Sequence, residues 1–371
     1  TLTNLTPYTV YYYSIGTTDD DMVGGPDYNF HTSPTNTVAT RIWVIGDNRL
    51  NSSSLPLQTN QNALNVKNSY LNYVGTHTEN FALNTGDLGG LNGTDAELQV
   101  GYFNTYPEIL RRSVTWVCLG NHEEGTSMGE PYLNDFTLPQ AGEAGGVPSN
   151  TNRYYSFTYG NIHVVSLDSQ SSSLTVNGPM YAWLQSDLAA NRSDWLIAYW
   201  HAPPYSITSI HNSDSESDMV LMRQNFLPLL EANGLDLAVF GHNHLYSRTY
   251  LVDGHYGSSS SFSSSMLKDG GDGRLDGTGA YHKPSTGPAP HEGAVYAVVG
   301  GGGASLYSFS SLPVQFYGES AHGSLIADVD GNTLNATFLR ADGQVRDHFT
   351  IVKGSIAPSI VAQPQSATRL A

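Results

Sequence analysis

Asp47, Asp87, Asn121, His201, His242 and His244 stand where short apolar runs of this 371-residue chain break off into polar residues. Residues 42–45 end at Gly46-Asp47, and residues 81–85 at Gly86-Asp87. Residues 114–119 end at Gly120-Asn121-His122-Glu123. Residues 195–200 end at His201, and residues 235–240 at Gly241-His242-Asn243-His244. A further run, 162–167, ends at Asp168. An Asp or His at one strand end is ordinarily a capping or loop residue. Gly-Asp, Gly-Asn-His and Gly-His-Asn-His endings recurring in order are not, because each glycine lets the backbone turn sharply beside a ligand. Oxygen and imidazole donors in this mixture suit Mn, Fe, Zn or Mg rather than a soft metal, which would call for thiolates.

The runs themselves are nearly continuous in apolar residues, the mark of strands buried on both faces. Residues 181–188 and 219–227 carry apolar side chains at helical spacing, with Leu229 and Leu230 beyond Pro228. Alternating strand and helix predicts an α/β architecture with its ligands at the carboxyl ends of strands. Further strands are predicted at 295–299, 324–329, 333–339 and 347–352. Between them, residues 256–293 are rich in Gly and Ser and read as a long surface insertion. Residues 1–33 read as β, with strands over 9–16 and 28–32 around an Asp-rich and Gly-Gly-Pro turn. Residues 34–40 read as a linker, 41–352 as the main domain, and the Ser/Pro/Gln-rich 353–371 as a linker towards a further domain.

The order Asp, Gly-Asp, Gly-Asn-His-Glu, His, Gly-His-x-His resembles the calcineurin-like metallophosphoesterase family, and within it the purple acid phosphatase branch. Tyr246, Arg248, His211 and the run 295–303 match that branch, and the resemblance covers about residues 1–352. It implies a two-sheet β-sandwich flanked by helices, in four layers, preceded by the end of a fibronectin-type β-sandwich. It implies two divalent or trivalent metal ions, with Asp87 bridging. Asp47 and His244 would bind the first, and Asn121, His201 and His242 the second. A hydroxide held by the metals would attack phosphorus, while His122 and His211 donate to phosphate oxygens or to the leaving group.

Two positions depart from the pattern. Gly90 stands where the purple branch has a tyrosine ligand, and Arg49 stands where the wider family often has a histidine. The first metal therefore loses a protein ligand, and no tyrosinate is left to colour a ferric ion. Arg49 becomes a candidate for binding the substrate phosphate by its guanidinium fork, against the plainer reading of a surface ion pair. His77, His163, His255, His282 and His291 have no partners at ligand spacing and read as structural or exposed.

Composition narrows the function. A net charge of −17 disfavours a nucleic-acid surface and anionic membranes. An anionic phosphate ester would then need local positive charge, which metal ions provide. Charged residues make up 13%, below the roughly 25% usual for globular proteins, and this fits a secreted, periplasmic or cell-surface setting. Cys118, the lone cysteine, lies in an apolar run and reads as a small buried hydrophobe. No apolar run reaches the ~18 residues of a membrane helix. The expectation is hydrolysis of phosphate monoesters. A phosphodiesterase or nucleotidase with the same site is the near alternative, and a non-catalytic binding module that has lost its first metal is the distant one.

Overall fold

Residues 2 and 4–355 are described in a computed structural model of the chain. Two seven-stranded sheets dominate the described residues. One runs Gln315–Glu319, Tyr246–Thr249, Val295–Val299, Leu237–Phe240, Trp195–Trp200, Ile162–Ser166, Tyr155–Tyr159. The other runs Tyr281–Lys283, Val345–Lys353, Thr333–Arg340, Gly323–Asp330, Thr40–Ile45, Phe81–Asn84, Val114–Val117. In each sheet the strands that lead to the metal-ligand candidates are parallel neighbours. Thr40–Ile45 pairs in parallel with Phe81–Asn84, and that strand with Val114–Val117. Trp195–Trp200 pairs in parallel with Leu237–Phe240. Parallel strands share their carboxyl ends, so the chemically rich endings gather at one rim.

The pleat of Trp195–Trp200 explains the layering. Ile197 and Tyr199 face inward, into a core shared with Val44, Phe81 and Leu83 of the other sheet. Leu196, Ala198 and Trp200 point outward, against Met180, Leu184, Phe226 and Leu230 of the covering helices. Both faces are buried, which is why the sequence shows a continuous apolar run rather than alternation. On the outer side of the second sheet, helix Gln61–Val74 stacks Tyr70 on Trp43, with ring centres 4.6 Å apart. The result is the α/β, two-sheet architecture of helix, sheet, sheet and helix.

The second predicted helix continues through Pro228, as Ser217–Leu221, a π turn at Met222–Phe226, and Leu227–Ala232. Proline has no N–H to give to an i−4 carbonyl, and the wider π turn just before it absorbs the mismatch. The insertion departs from a plain surface loop. Its Tyr281–Lys283 segment joins the second sheet as an edge strand parallel to Val345–Lys353. Tyr281 and Lys283 are fully buried there, because Arg248 and Asp236 hold their polar ends. His255 is buried as well, flat against Tyr205 at 5.1 Å. Near the start, Val10–Tyr12 pairs antiparallel with Asn29–His31, and Ile15–Gly16 with Asp21–Val23. The strand Val345–Lys353 ends with Lys353 buried, and most of the segment read as a trailing linker lies outside the described residues. No helix among the described residues is long and apolar enough to cross a membrane.

Candidate metal centre

Three of the six ligand candidates sit in left-handed backbone: Asp47 at φ 55°, Asp87 at φ 57° and His242 at φ 67°. Such conformations cost on the order of 1–3 kcal/mol each for a residue with a Cβ, and they cluster at functional sites. Here they bend the chain off each strand end so that the side chain turns back over the rim. Gly86, at φ 96°, precedes Asp87, and a Cβ there would come within 2.8 Å of Gly120 N and of His201 Nδ1. Only glycine lets those three strand ends approach so closely.

The donors converge. His201 Nε2 lies 3.0 Å from Asn121 Oδ1 and 3.4 Å from Asp87 Oδ1. His242 Nδ1 lies 3.0 Å from the same Asn121 oxygen and 3.3 Å from His201 Nε2. His244 Nε2 lies 3.4 Å from Asp47 Oδ1. One donor atom each from Asp47, Asp87 and His244 falls within 4.8 Å of the others. His201 Nδ1 is 2.8 Å from the Thr85 carbonyl, and His244 Nδ1 is 2.6 Å from the Ser305 carbonyl. A carbonyl only accepts, so both Nδ1 atoms carry the proton, and in the neutral rings both Nε2 lone pairs face the site. There they meet an amide oxygen and carboxylate oxygens, which also carry only lone pairs. A cation between them resolves that conflict, and the donor set fits a hard or borderline metal ion.

Surrounding residues hold the ligands in place. The Glu123 carboxylate accepts from the backbone N–H groups of Asp87, Leu88 and Gly120 at 2.8, 2.8 and 2.9 Å. Burial and then the Asp87 charge push its carboxyl up to about 8, against those three N–H groups. Both oxygens of Asp47 accept from His242 N, at 3.0 and 2.8 Å. Burial works to raise the Asp87 carboxyl, but His201, His122 and Arg49 outweigh it and hold Asp87 well below the usual carboxylate range. Burial lowers His201. It would lower His242 too, yet Glu216 and then Asp87 and Asp47 raise that imidazole.

His122 and His211 stand at the mouth of the site. The His122 ring meets the Leu91 carbonyl through Nδ1 at 2.8 Å and brings Nε2 to 3.8 Å from Asp87 Oδ2. The His211 ring packs on His242 at 3.8 Å between centres, and its Nδ1 is 3.0 Å from Glu216 Oε2. The same Glu216 oxygen is 3.5 Å from His242 Nε2. Tyr307 stacks on His244 at 4.1 Å and lies 5.8 Å from the His211 ring. Asp168 takes no part: its carboxylate caps the turn through the N–H groups of Gln170, Ser171 and Ser172.

Arg49 is not a surface ion pair. Its side chain is buried, with Nε 3.4 Å from Asp87 Oδ2 and Nη1 3.2 Å from the Leu50 carbonyl. At Gly90 a Cβ would come within 2.5 Å of Glu97 Cδ, so no larger side chain fits until Glu97 moves. Glu97 is held in turn by Ser53, Asn92 and Thr94.

Glu123, Glu216 and Tyr307 have no role in the sequence reading. Only Glu123 carried a signal, its place directly after Asn121-His122. Glu216 and Tyr307 come from loops whose direction no local pattern fixes.

Fold and donor set point to one family. The calcineurin-like phosphoesterase pattern matches residues 40–246, and the chain belongs to that family. Purple acid phosphatase 18 of Arabidopsis thaliana is 31% identical over 166 residues, 41% of this chain and 35% of that protein. Probable inactive purple acid phosphatase 9 of the same plant is 29% identical over 175 residues, 40% of this chain and 26% of that one. A purple acid phosphatase from yellow lupin (Lupinus luteus) seeds shares the fold at a TM-score of 0.70 and 20% identity, over 92% of this chain and 60% of that one. The chain thus spans well under two thirds of the length of these curated relatives. The family fold implies a binuclear metal centre.

Proposed function

We propose that the chain hydrolyses phosphate monoesters at a binuclear metal centre held by Asp47, Asp87, Asn121, His201, His242 and His244, outside the cytoplasm. The observation that carries the reading is the meeting of lone pairs at Asn121 Oδ1 and His201 Nε2, 3.0 Å apart, with His242 Nδ1 within 3.0 to 3.3 Å of both. Two bound cations would supply an ionised water near neutral pH and neutralise charge growing on the phosphoryl oxygens. Everything else falls to side chains. Thr85 and Ser305 fix the tautomers of His201 and His244, and Glu123 locks the turn that presents Asp87. Arg49 Nη2 has no hydrogen-bond partner among the described residues, so it can bind a phosphate oxygen in a chain whose net charge of −17 otherwise repels the substrate. His122 Nε2 and His211 lie at the open side, where a proton can pass to the leaving oxygen. Residues 1–33 are read as the end of a fibronectin-type domain.

The test is turnover of an aryl phosphate by protein loaded with Mn or Zn, beside the corresponding diester. Monoester hydrolysis that chelation removes and metal restores is expected. No turnover from protein carrying two cations would overturn the reading in favour of a binding module, and faster diester cleavage would move it to a phosphodiesterase.

A further inference from the structure

The two halves of the centre are built unequally. Asp87, which both cation positions would share, has its oxygens in different company. Oδ1 accepts from His122 N at 3.1 Å and faces His201 Nε2. Oδ2 lies against the guanidinium of Arg49, with Nε at 3.4 Å. The arginine is pinned there. Its N–H donates to the Asp87 carbonyl at 3.1 Å, and its carbonyl accepts from Asn60 Nδ2 at 2.8 Å. Asn60 in turn caps helix Gln61–Val74 by accepting from Asn62 N.

The donors divide in the same sense. Beside Asp87, one half offers Asn121, His201 and His242, and Glu216 adds a negative charge 3.5 Å behind His242. The other half offers Asp47 and His244 beside Asp87, and both Asp47 oxygens are already shared with His242 N. Gly90 has no side chain to add, and packing against Glu97 leaves no room for one.

Building on the metal-centre reading above, we propose that the chain holds its two cations with unequal strength, tightly at Asn121, His201 and His242 and loosely at Asp47 and His244, where the Arg49 guanidinium supplies a fixed part of the positive charge. A guanidinium this close to a shared carboxylate oxygen weakens a neighbouring divalent ion by on the order of ten- to a hundredfold. The position at Asn121, His201 and His242 has no such competitor. Occupancy of the position at Asp47 and His244 then follows the free metal concentration, while the ion at the other stays.

The experiment is calorimetric titration of the chelator-stripped protein with Zn²⁺, with elemental analysis after dialysis at each step. The wild-type chain should bind two equivalents in two steps, the first at least about tenfold tighter than the second. Arg49→Ala and Arg49→Gln, the second keeping a polar side chain in place, should narrow that gap by tightening the second step. His242→Ala should remove the tight step, and His244→Ala the loose one. Two equal equivalents in wild type, an unchanged gap in both Arg49 variants, or loss of the steps in the reverse order would overturn the inference. Two equal equivalents with full aryl phosphate turnover would overturn it alone and leave the phosphatase reading standing. Protein that takes up no Zn²⁺ would overturn both.

Discussion

The metal centre and the buried ion clusters behind it use the same residue types to opposite ends. Asp347 accepts from Arg248 Nε at 2.6 Å, Arg274 Nη2 at 2.7 Å and the Tyr246 hydroxyl at 2.9 Å. Asp236 meets Lys283 at 2.6 Å and Lys353 at 3.1 Å, and it also accepts from Leu196 N. In both clusters the carboxylate meets two cations of the protein itself, so every acceptor faces a donor and the network closes within the protein. In the metal centre, imidazole lone pairs face carboxylate and amide oxygens, and among the described residues Arg49 is the one arginine or lysine set against Asp47 and Asp87. A closed network ties elements together: Arg248–Asp347 joins the two sheets, and Lys283 and Lys353 join the last strands to the first sheet. An open one waits for something from outside. Burial alone does not distinguish them, but the balance of donors and acceptors does.

Breaking each network should therefore give different results. The largest effect is expected from His242→Ala or Asn121→Ala: aryl phosphate turnover should fall by about a thousandfold or more, since two-metal chemistry needs both charges at once. Unfolding without metal should change little, and the check is kcat beside a thermal melt in chelator. Wild-type kcat in either variant would remove the distinction. Asp236→Ala should do the reverse. It leaves two buried ammonium groups unpaired and should destabilise the fold by about 3–5 kcal/mol, read from a urea midpoint, while the protein that remains folded keeps its kcat.

Arg49→Ala sits between the two networks. KM for a phosphate monoester should rise roughly tenfold, about 1.4 kcal/mol, and inhibition by free phosphate should weaken. Arg49→Lys should recover part of that loss, since it keeps the charge without the fork. Unchanged KM in Arg49→Ala would make the arginine part of the scaffold.

The smallest effect concerns Glu231, a third buried network. Burial pushes its carboxyl up to about 7, against hydrogen bonds from the Tyr256 and Tyr296 hydroxyls and Gly254 N. The folded state then holds a proton that the unfolded chain gives up near the ordinary glutamate value of about 4.3. Between that pH and about 7 the folded state binds more protons, so this contribution to stability is present at the acid end and lost as pH rises. Glu231→Gln should flatten that decline in urea midpoints measured across the window. A variant as steep as wild type would assign the slope elsewhere.

Much of this was legible in the chain. Apolar runs ending in glycine and a ligating residue are local features. Asp47, Asp87, Asn121, His201, His242 and His244 could therefore be named as candidates at their strand ends, though Asp168 stands at such an end too and only caps a turn. Parallel pairing does the rest, because parallel strands bring their carboxyl ends to one rim whatever lies between them.

What the sequence left open is where each side chain points, and that depends on partners far along the chain. Arg49 read equally well as a surface residue, and only its backbone bonds to Asp87 and Asn60 turn it inward. Glu216 reaches His242 because the loop after His201 folds back under His211. Tyr281 and Lys283 look like part of a polar insertion, until Arg248 and Asp236 make their burial favourable. Periodicity fixes which residues can be buried or can ligate, since it is written in neighbouring positions. Which charge meets which is settled by contacts between segments tens to hundreds of residues apart, and those exist only once the sheets have closed on one another.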